Sequence, residues 1–208
     1  MSLSAPTRPL LSSRQIARGA KARDRILAAA YDLFSRQGIR AVGIDAIIEQ
    51  SGVARMTLYR HFKSKEQLVL AFLSQREAFW TSGWLQAEIA RRAATARERL
   101  LAIFDVFGDW FKVEGFEGCT FINVMLETTD HNDVVRRATV DYLSHIRELL
   151  SALATEAGVR DADGFARSWH ILMKGSIVAA AEGDRDAAAR ARAMGALVLE
   201  DALRPRAT

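Results

Sequence analysis

The sequence predicts an all-α protein: an N-terminal three-helix domain built around a helix-turn-helix, followed by a larger helical body. Three observations predict it. Apolar residues recur at the three-and-four spacing of helices from Arg18 almost to the C-terminus. No stretch of strand alternation closed by a hairpin turn pair interrupts them. Two short helical stretches also flank the Ser51-Gly52 turn.

Composition narrows the class further. The 208 residues are 50% hydrophobic and 26% charged, enough to bury a substantial core. With 3 Pro and 13 Gly, collagen-like and low-complexity architectures are excluded. The single cysteine, Cys119, excludes an internal disulfide or a Cys-based zinc site and fits a reducing compartment. No apolar run reaches the roughly 18 residues of a membrane span. Pro6, Arg8, Pro9, Arg14 and Arg18 break up any secretory leader, so a cytoplasmic protein is expected.

Residues 1–17 hold two of the prolines and no sustained period, and are expected to be a disordered basic arm. From Arg18 the first helix carries Ile26, Leu27, Ala30, Leu33 and Phe34 on one face and stops at Gly38. Ile44, Ile47 and Ile48 mark the second helix, which ends at Ser51-Gly52, and the third covers about Arg55 to Phe62. Ser64, with Gln67 three residues on, predicts the start of a fourth helix running towards Ala90. Thr95 and Glu98 open a helix whose stripe is Leu100, Leu101, Phe104, Phe107, Trp110 and Phe111. Phe121–Glu127 is a short helix, Val134–Ala157 a long one closed by Gly158, and the last two span Asp161–Glu182 and Asp184–Leu203. The domain boundaries follow as 1–17 for the arm, 18–66 for the helix-turn-helix domain and 67–208 for the body.

Charge is distributed unevenly. Residues 1–70 carry 12 Lys+Arg against 5 Asp+Glu, which leaves 17 against 20 of the chain's 29 and 25 for the rest. A basic head on a mildly acidic body fits a polyanion partner for the head, although a solvated basic face would look the same on charge alone. The third helix discriminates. Val53, Leu58 and Phe62 fall where they face the first two helices, which turns Arg55, Met56, Thr57, Tyr59, Arg60 and His61 outward. Such side chains suit phosphates and base edges, and a second helix of this kind lies in the major groove of DNA.

The run Ser51-Gly52-Val53-Ala54-Arg55-Met56-Thr57-Leu58-Tyr59-Arg60-His61-Phe62-Lys63-Ser64-Lys65-Glu66-Gln67-Leu68 resembles the DNA-binding domain of the TetR family of bacterial transcription regulators. The resemblance extends over Arg23–Leu73, about a quarter of the chain. It implies that Thr57, Tyr59 and His61 bond backbone phosphates, with Lys65 and its helix end adding another contact. Arg55, Met56 and Arg60 then become the base readers, Arg55 being suited to a guanine. Val42-Gly43 and Ala54 depart from the family's usual Thr-Thr and Ser openings, so the reading helix lacks a side-chain cap worth about 1 kcal/mol.

One helix-turn-helix contacts too few bases for specificity, so a homodimer reading two half-sites of double-stranded operator DNA is expected. The last two helices supply the candidate interface through Phe165, Trp169, Leu172, Met173, Ile177 and Ala180 on one and Ala188, Ala191, Met194, Leu197, Val198 and Leu199 on the other. The alternative places about half of these in the intramolecular core. Phe104, Phe107, Trp110, Phe111, Phe121, Met125, His145, Trp169 and Met173 are candidates to line a pocket for a small hydrophobic or aromatic inducer. Trp80, Trp84, Phe116, Asn123, Glu127 and His170 stand beside them as further aromatic and polar positions. Plain core packing is the competing account of any one aromatic.

The function expected is a ligand-responsive, sequence-specific regulator, of the repressor kind that an inducer releases from its operator, without cofactor, catalytic site or metal. Rival readings are an enzyme or metal protein using Glu127 with His131 or Asp141 with His145, and a helical scaffold that reads no DNA. The Asp130–Asp133 run reads as a turn and helix cap, which disfavours the first metal pair, and no compact catalytic motif or phosphate-cradling glycine loop is present. Cys119 is either a redox sensor at a helix start or an inert buried thiol.

Overall fold

The computed structural model of the chain describes residues 21–131 and 133–204. The arm expected over 1–17, the residues 18–20 and Asn132 lie outside them. Every regular element among the described residues is helical. The order is α1 (Ala22–Gln37), α2 (Ile44–Ser51), α3 (Arg55–His61), α4 (Lys65–Arg76), α5 (Gln86–Arg92), α6 (Ala96–Trp110), α7 (Thr120–Glu127), α8 (Val134–Glu156), α9 (Ala162–Ala181) and α10 (Ala187–Leu203). A π-helical stretch, Glu77–Leu85, joins α4 to α5 without a break, so the single helix expected from Lys65 towards Ala90 is present with a widened middle.

Several helix ends follow local chemistry. Thr95 forms a full capping box with Glu98, and Ser64 accepts the Gln67 amide at 3.1 Å while Gln67 Oε1 accepts the Lys63 N–H at 2.9 Å. After α8 the Val159 N–H donates to the Ala154 carbonyl at 2.9 Å, which seals the expected stop at Gly158. The Asp133 carboxylate accepts the amides of Val135 and Arg136 at 2.8 and 3.0 Å, the turn-and-cap role read for that run. Two boundaries move: among the described residues α1 starts at Ala22, after a non-helical Lys21, and not at Arg18, and α10 starts at Ala187, not Asp184. Asp184 Oδ1 instead accepts the Asp186 N–H at 2.9 Å and its carboxylate pairs with Arg190, tying residues 184–186 into a turn.

The described residues group into two units. One contains those up to Trp80 together with Cys119–Tyr142. Its core is built by α1 against α2, α3 and α4, where Ile26, Ala30, Ile47, Leu58, Leu68 and Phe72 are wholly buried. Tyr31 meets Phe72 edge-on at 5.2 Å, and its hydroxyl accepts a 2.7 Å bond from buried Arg76, so these two buried polar side chains satisfy one another.

The other unit contains Thr81–Gly118 with Leu143 onward. There α10 packs on α9 and α6, and α5 on α6. Trp169 lies fully buried, 5.3 Å from the Phe104 ring and stacked on Phe165 at 5.0 Å. Gly195 of α10 permits this layer, because a Cβ there would come within 2.9 Å of the indole and 3.0 Å of the Phe104 ring. Glu88 is wholly buried on α5 and is held by Arg91 at 2.8 Å and Arg92 at 3.2 Å. The Arg91 bond, ahead of the other contacts, keeps its carboxyl below the usual range.

Candidate nucleic-acid interface

The α2–α3 pair joins through the turn at Gly52, whose amide donates to the Ile48 carbonyl at 2.9 Å. Helix α3 is only seven residues long, too short to hold itself together in water, so its geometry comes from what it buries. Val53, Leu58 and Phe62 go inward, the three positions its periodicity assigned to the core. Arg23 adds its guanidinium over the Phe62 ring at 5.3 Å from outside. Ala54, at the N-cap, has an extended backbone and contributes no side-chain bond.

The opposite face is left to solvent. Met56 is 79% exposed and Tyr59 36%, and Arg55, Arg60 and His61 are exposed too, with Thr57 and Lys65 part-buried at the margin. Met56, Thr57, Tyr59, Arg60 and Lys63 line a shallow open groove of about 390 Å³. A hydroxyl, a phenol and two cations around an apolar tip match the mix a duplex presents: phosphate oxygens, base edges and thymine methyls. Lys63 is a member of this face that the spacing alone did not single out, although its place next to the Ser64 cap was the available signal.

Arg55 is not idle in the free protein: its guanidinium pairs with the exposed Asp45 carboxylate of the first turn of α2. That pair is solvent-exposed and worth little, and it leaves the other donors of the guanidinium open. Lys65, at the start of α4, has its pKa lowered by partial burial, against which the nearby Glu127 carboxylate pulls upward.

The candidate ligand residues divide differently from their expectation as one set. Phe104, Phe107, Trp110, Trp169 and Met173 are buried in the second unit, with Phe111 half-buried beside them. Their rings contact one another, Phe107 to Trp110 at 5.4 Å and Phe107 to Phe111 at 5.5 Å. Phe121 and Met125 belong instead to the unit that holds α3, where Phe121 lies 5.4 Å from Tyr142. His145 is exposed, because it falls on the outer face of α8 opposite Leu143, Ile146 and Leu150. His170 is buried, its Nδ1 without a hydrogen-bond partner among the described residues, and burial, helped by the charges of Lys174 and Arg147, lowers its pKa to about 3.

On α9 and α10 the candidate interface splits as the competing account allowed. Phe165, Trp169, Met173, Ile177, Ala188, Ala191 and Leu199 are buried within the chain. Leu172, Ala180 and Val198 are half-buried, and of the candidates Met194 and Leu197, the latter 68%, are exposed; so are Ile171, 68%, and Val178 on α9, which the expected set did not include. Among the described residues no group of three metal-ligating side chains occurs, and no helix is long and apolar enough to cross a membrane.

Comparison with known proteins covers both units. The pattern of bacterial regulatory proteins of the tetR family matches residues 26–72, and that of the tetracyclin repressor-like C-terminal domain matches residues 96–195. The HTH-type transcriptional regulator YvkB of Bacillus subtilis is 30% identical over 130 residues, 60% of this chain and 67% of that protein. The HTH-type transcriptional activator FasR of Mycolicibacterium smegmatis is 37% identical over 90 residues, 43% of this chain, and the match spans only 40% of its length. A solved TetR-family transcriptional regulator from Streptomyces coelicolor superposes with a TM-score of 0.78 at 29% identity, covering 88% of this chain and 96% of that one.

Proposed function

The chain belongs to the TetR family of bacterial transcription regulators, DNA-binding proteins and not enzymes, and from that premise we propose that it is a homodimeric repressor released from its operator by a small hydrophobic or aromatic ligand. The observation that carries the reading is the composition of the exposed α3 face, where Met56, Thr57, Tyr59, Arg60 and Lys63 surround one groove. Thr57, Tyr59, His61 and Lys65 grip phosphates; Arg55, Met56 and Arg60 meet base edges.

The dimer forms through α9 and α10. Ile171 and Val178 on one helix, Met194 and Leu197 on the other, make an apolar surface that a single chain leaves in water, and burying it against a symmetry mate gives each head its half-site. Residues 18–66 read DNA and 67–208 answer to ligand, within a protein that works in the cytoplasm. The ligand is recognised by the aromatic body around Phe104, Phe107, Trp110 and Trp169, with Met173 as the adaptable wall. Its leverage is a difference in affinity of a few kcal/mol between two dimer shapes, only one of which presents both heads to successive major grooves.

The test is fluorescence anisotropy on a duplex that the full chain selects from a random pool, titrated at several salt concentrations. Affinity should fall linearly with salt on logarithmic axes, and Lys65→Ala should reduce that slope by about one. Tyr59→Phe should weaken binding on every sequence alike, whereas Arg55→Ala should also relax the base preference. A chain that selects no duplex, or whose affinity ignores salt, overturns the reading.

A further inference from the structure

Glu127 ends α7, far in sequence from the reading helices, yet its carboxylate is seated against the turn that leads into them. Its Oε2 accepts the backbone N–H of Arg40 at 2.8 Å, in the turn between α1 and α2. The same carboxylate presses on Gly38, where a Cβ would lie 2.7 Å from Oε1 and 3.1 Å from Cδ. Gly38 therefore serves twice: its φ of +82° suits glycine, and its missing side chain is the space the carboxylate occupies. The charge of Glu127 also reaches Lys65 at the start of α4. One side chain thus holds the turn just before the helix-turn-helix.

The end of α7 is itself held. Arg136, in the first turn of α8, donates from Nη1 to the carbonyls of Met125 and Thr128, each at 2.6 Å. Thr128 Oγ1 donates to the Val124 carbonyl at 2.9 Å. A guanidinium closing the C-terminal carbonyls of a helix satisfies groups that would otherwise need water and fixes where the last residue points. That last residue is Glu127. Helix α8 runs on past Leu143 into the other unit, so the clamp lies on a segment, 119–142, that leaves that unit and returns to it.

We infer that Glu127 is the positioning residue through which the 119–142 segment sets the geometry of the DNA-reading helices, by fixing the α1–α2 turn that leads into them. The inference rests on the DNA-reading proposal above. Glu127 acts through the Arg40 amide and its seat against Gly38, and a segment that shifts Glu127 shifts both.

Two readouts on the full chain test it. Hydrogen exchange of the 38–42 backbone should accelerate about tenfold or more in Glu127→Ala, since a charge-assisted bond to a backbone amide is lost. The ratio of affinity for a selected duplex to that for a scrambled one should fall by a similar factor, about tenfold. Glu127→Gln, whose carbamoyl oxygen still accepts the Arg40 N–H, should recover most of both; a general loss of packing would not be rescued this way. Should the alanine chain fail to fold, Glu127→Asp keeps the charge, shortens its reach and carries the same readouts. Unchanged exchange, or accelerated exchange with an unchanged affinity ratio, overturns the inference. A wild-type chain that prefers no duplex sinks the DNA-reading proposal instead, while exchange still decides whether Glu127 holds the turn.

Discussion

The two units of this protein put their informative residues on opposite sides of their surfaces. In the unit that holds α3, the distinctive residues face out: Met56, Tyr59, Arg60 and His61 are exposed, and the core beneath is an ordinary packing of Ile26, Leu58 and Phe72. In the other, they face in, as the layer of Phe104, Trp169 and Phe165 shows. Exposed side chains that no core demands are evidence of a partner, whereas buried aromatics are first of all the core. The same sequence therefore speaks plainly about DNA and indirectly about ligand.

The largest effect expected from this contrast is on Trp169. Its truncation to alanine removes a wholly buried indole held under Gly195 and should cost about 3–5 kcal/mol in urea denaturation, with the slope unchanged. Met56→Ala, by contrast, should stay within about 0.5 kcal/mol while altering DNA recognition. A loss below about 1 kcal/mol for Trp169→Ala would mean that this interior is not packed as a solid, and the contrast would break. Indole added to the variant should restore part of the lost stability if the site left behind behaves as an apolar cavity.

A smaller effect separates the interior by pH. His170 is neutral in the fold, its pKa lowered to about 3, while in the unfolded chain it returns to about 6.5. The unfolded state therefore takes the proton first. Stability is whole above about pH 6.5 and falls with pH between there and about 3, by roughly 2 kcal/mol from pH 7 to 5. His170→Leu should flatten that part of the curve in denaturation series at matched pH values. A variant that keeps the full slope would overturn this assignment, because the buried Glu88 carboxylate cannot supply it: its own contribution is lost only as pH drops below its ordinary value of 4.5.

Legibility in the sequence follows the range of the interactions. Caps, turns and periodicity act over three or four residues, so the Thr95–Glu98 box, the Ser64 cap, the stop at Gly158 and the inward set Val53, Leu58 and Phe62 could all be read before any coordinates. Periodicity says which face of a helix is buried but not against what. For that reason the pattern groups Phe121 and Met125 with Phe104 and Trp169, which share their composition and not their unit. It also cannot show that Ile171 and Leu197 stay in water while Phe165 and Leu199 do not, because each lies on an apolar helix of the same body. By its residue type and spacing Glu127 suits only a pocket wall or a metal ligand. Its bond to Arg40 spans 87 residues and leaves no local trace.

The smallest effect bears on the short helices of the reading unit, where single caps matter more than packing. Ser64 is extended and accepts the Gln67 amide, so Ser64→Ala should cost about 1 kcal/mol and loosen the start of α4, where Lys65 sits. Ala54 offers the reverse experiment. It occupies the N-cap of α3 with φ −69° and ψ 147°, a backbone that a capping residue adopts, but has no oxygen to offer. Ala54→Ser should therefore add about 1 kcal/mol to stability in thermal or urea unfolding without any change in the core. Because α3 is seven residues long, part of that gain should also appear as slower amide exchange across Arg55–His61. If Ala54→Ser leaves both unfolding and exchange where they were, the order of the reading helix comes from Leu58 and its neighbours alone, and the exposed face is governed by the same packing logic as the aromatic interior.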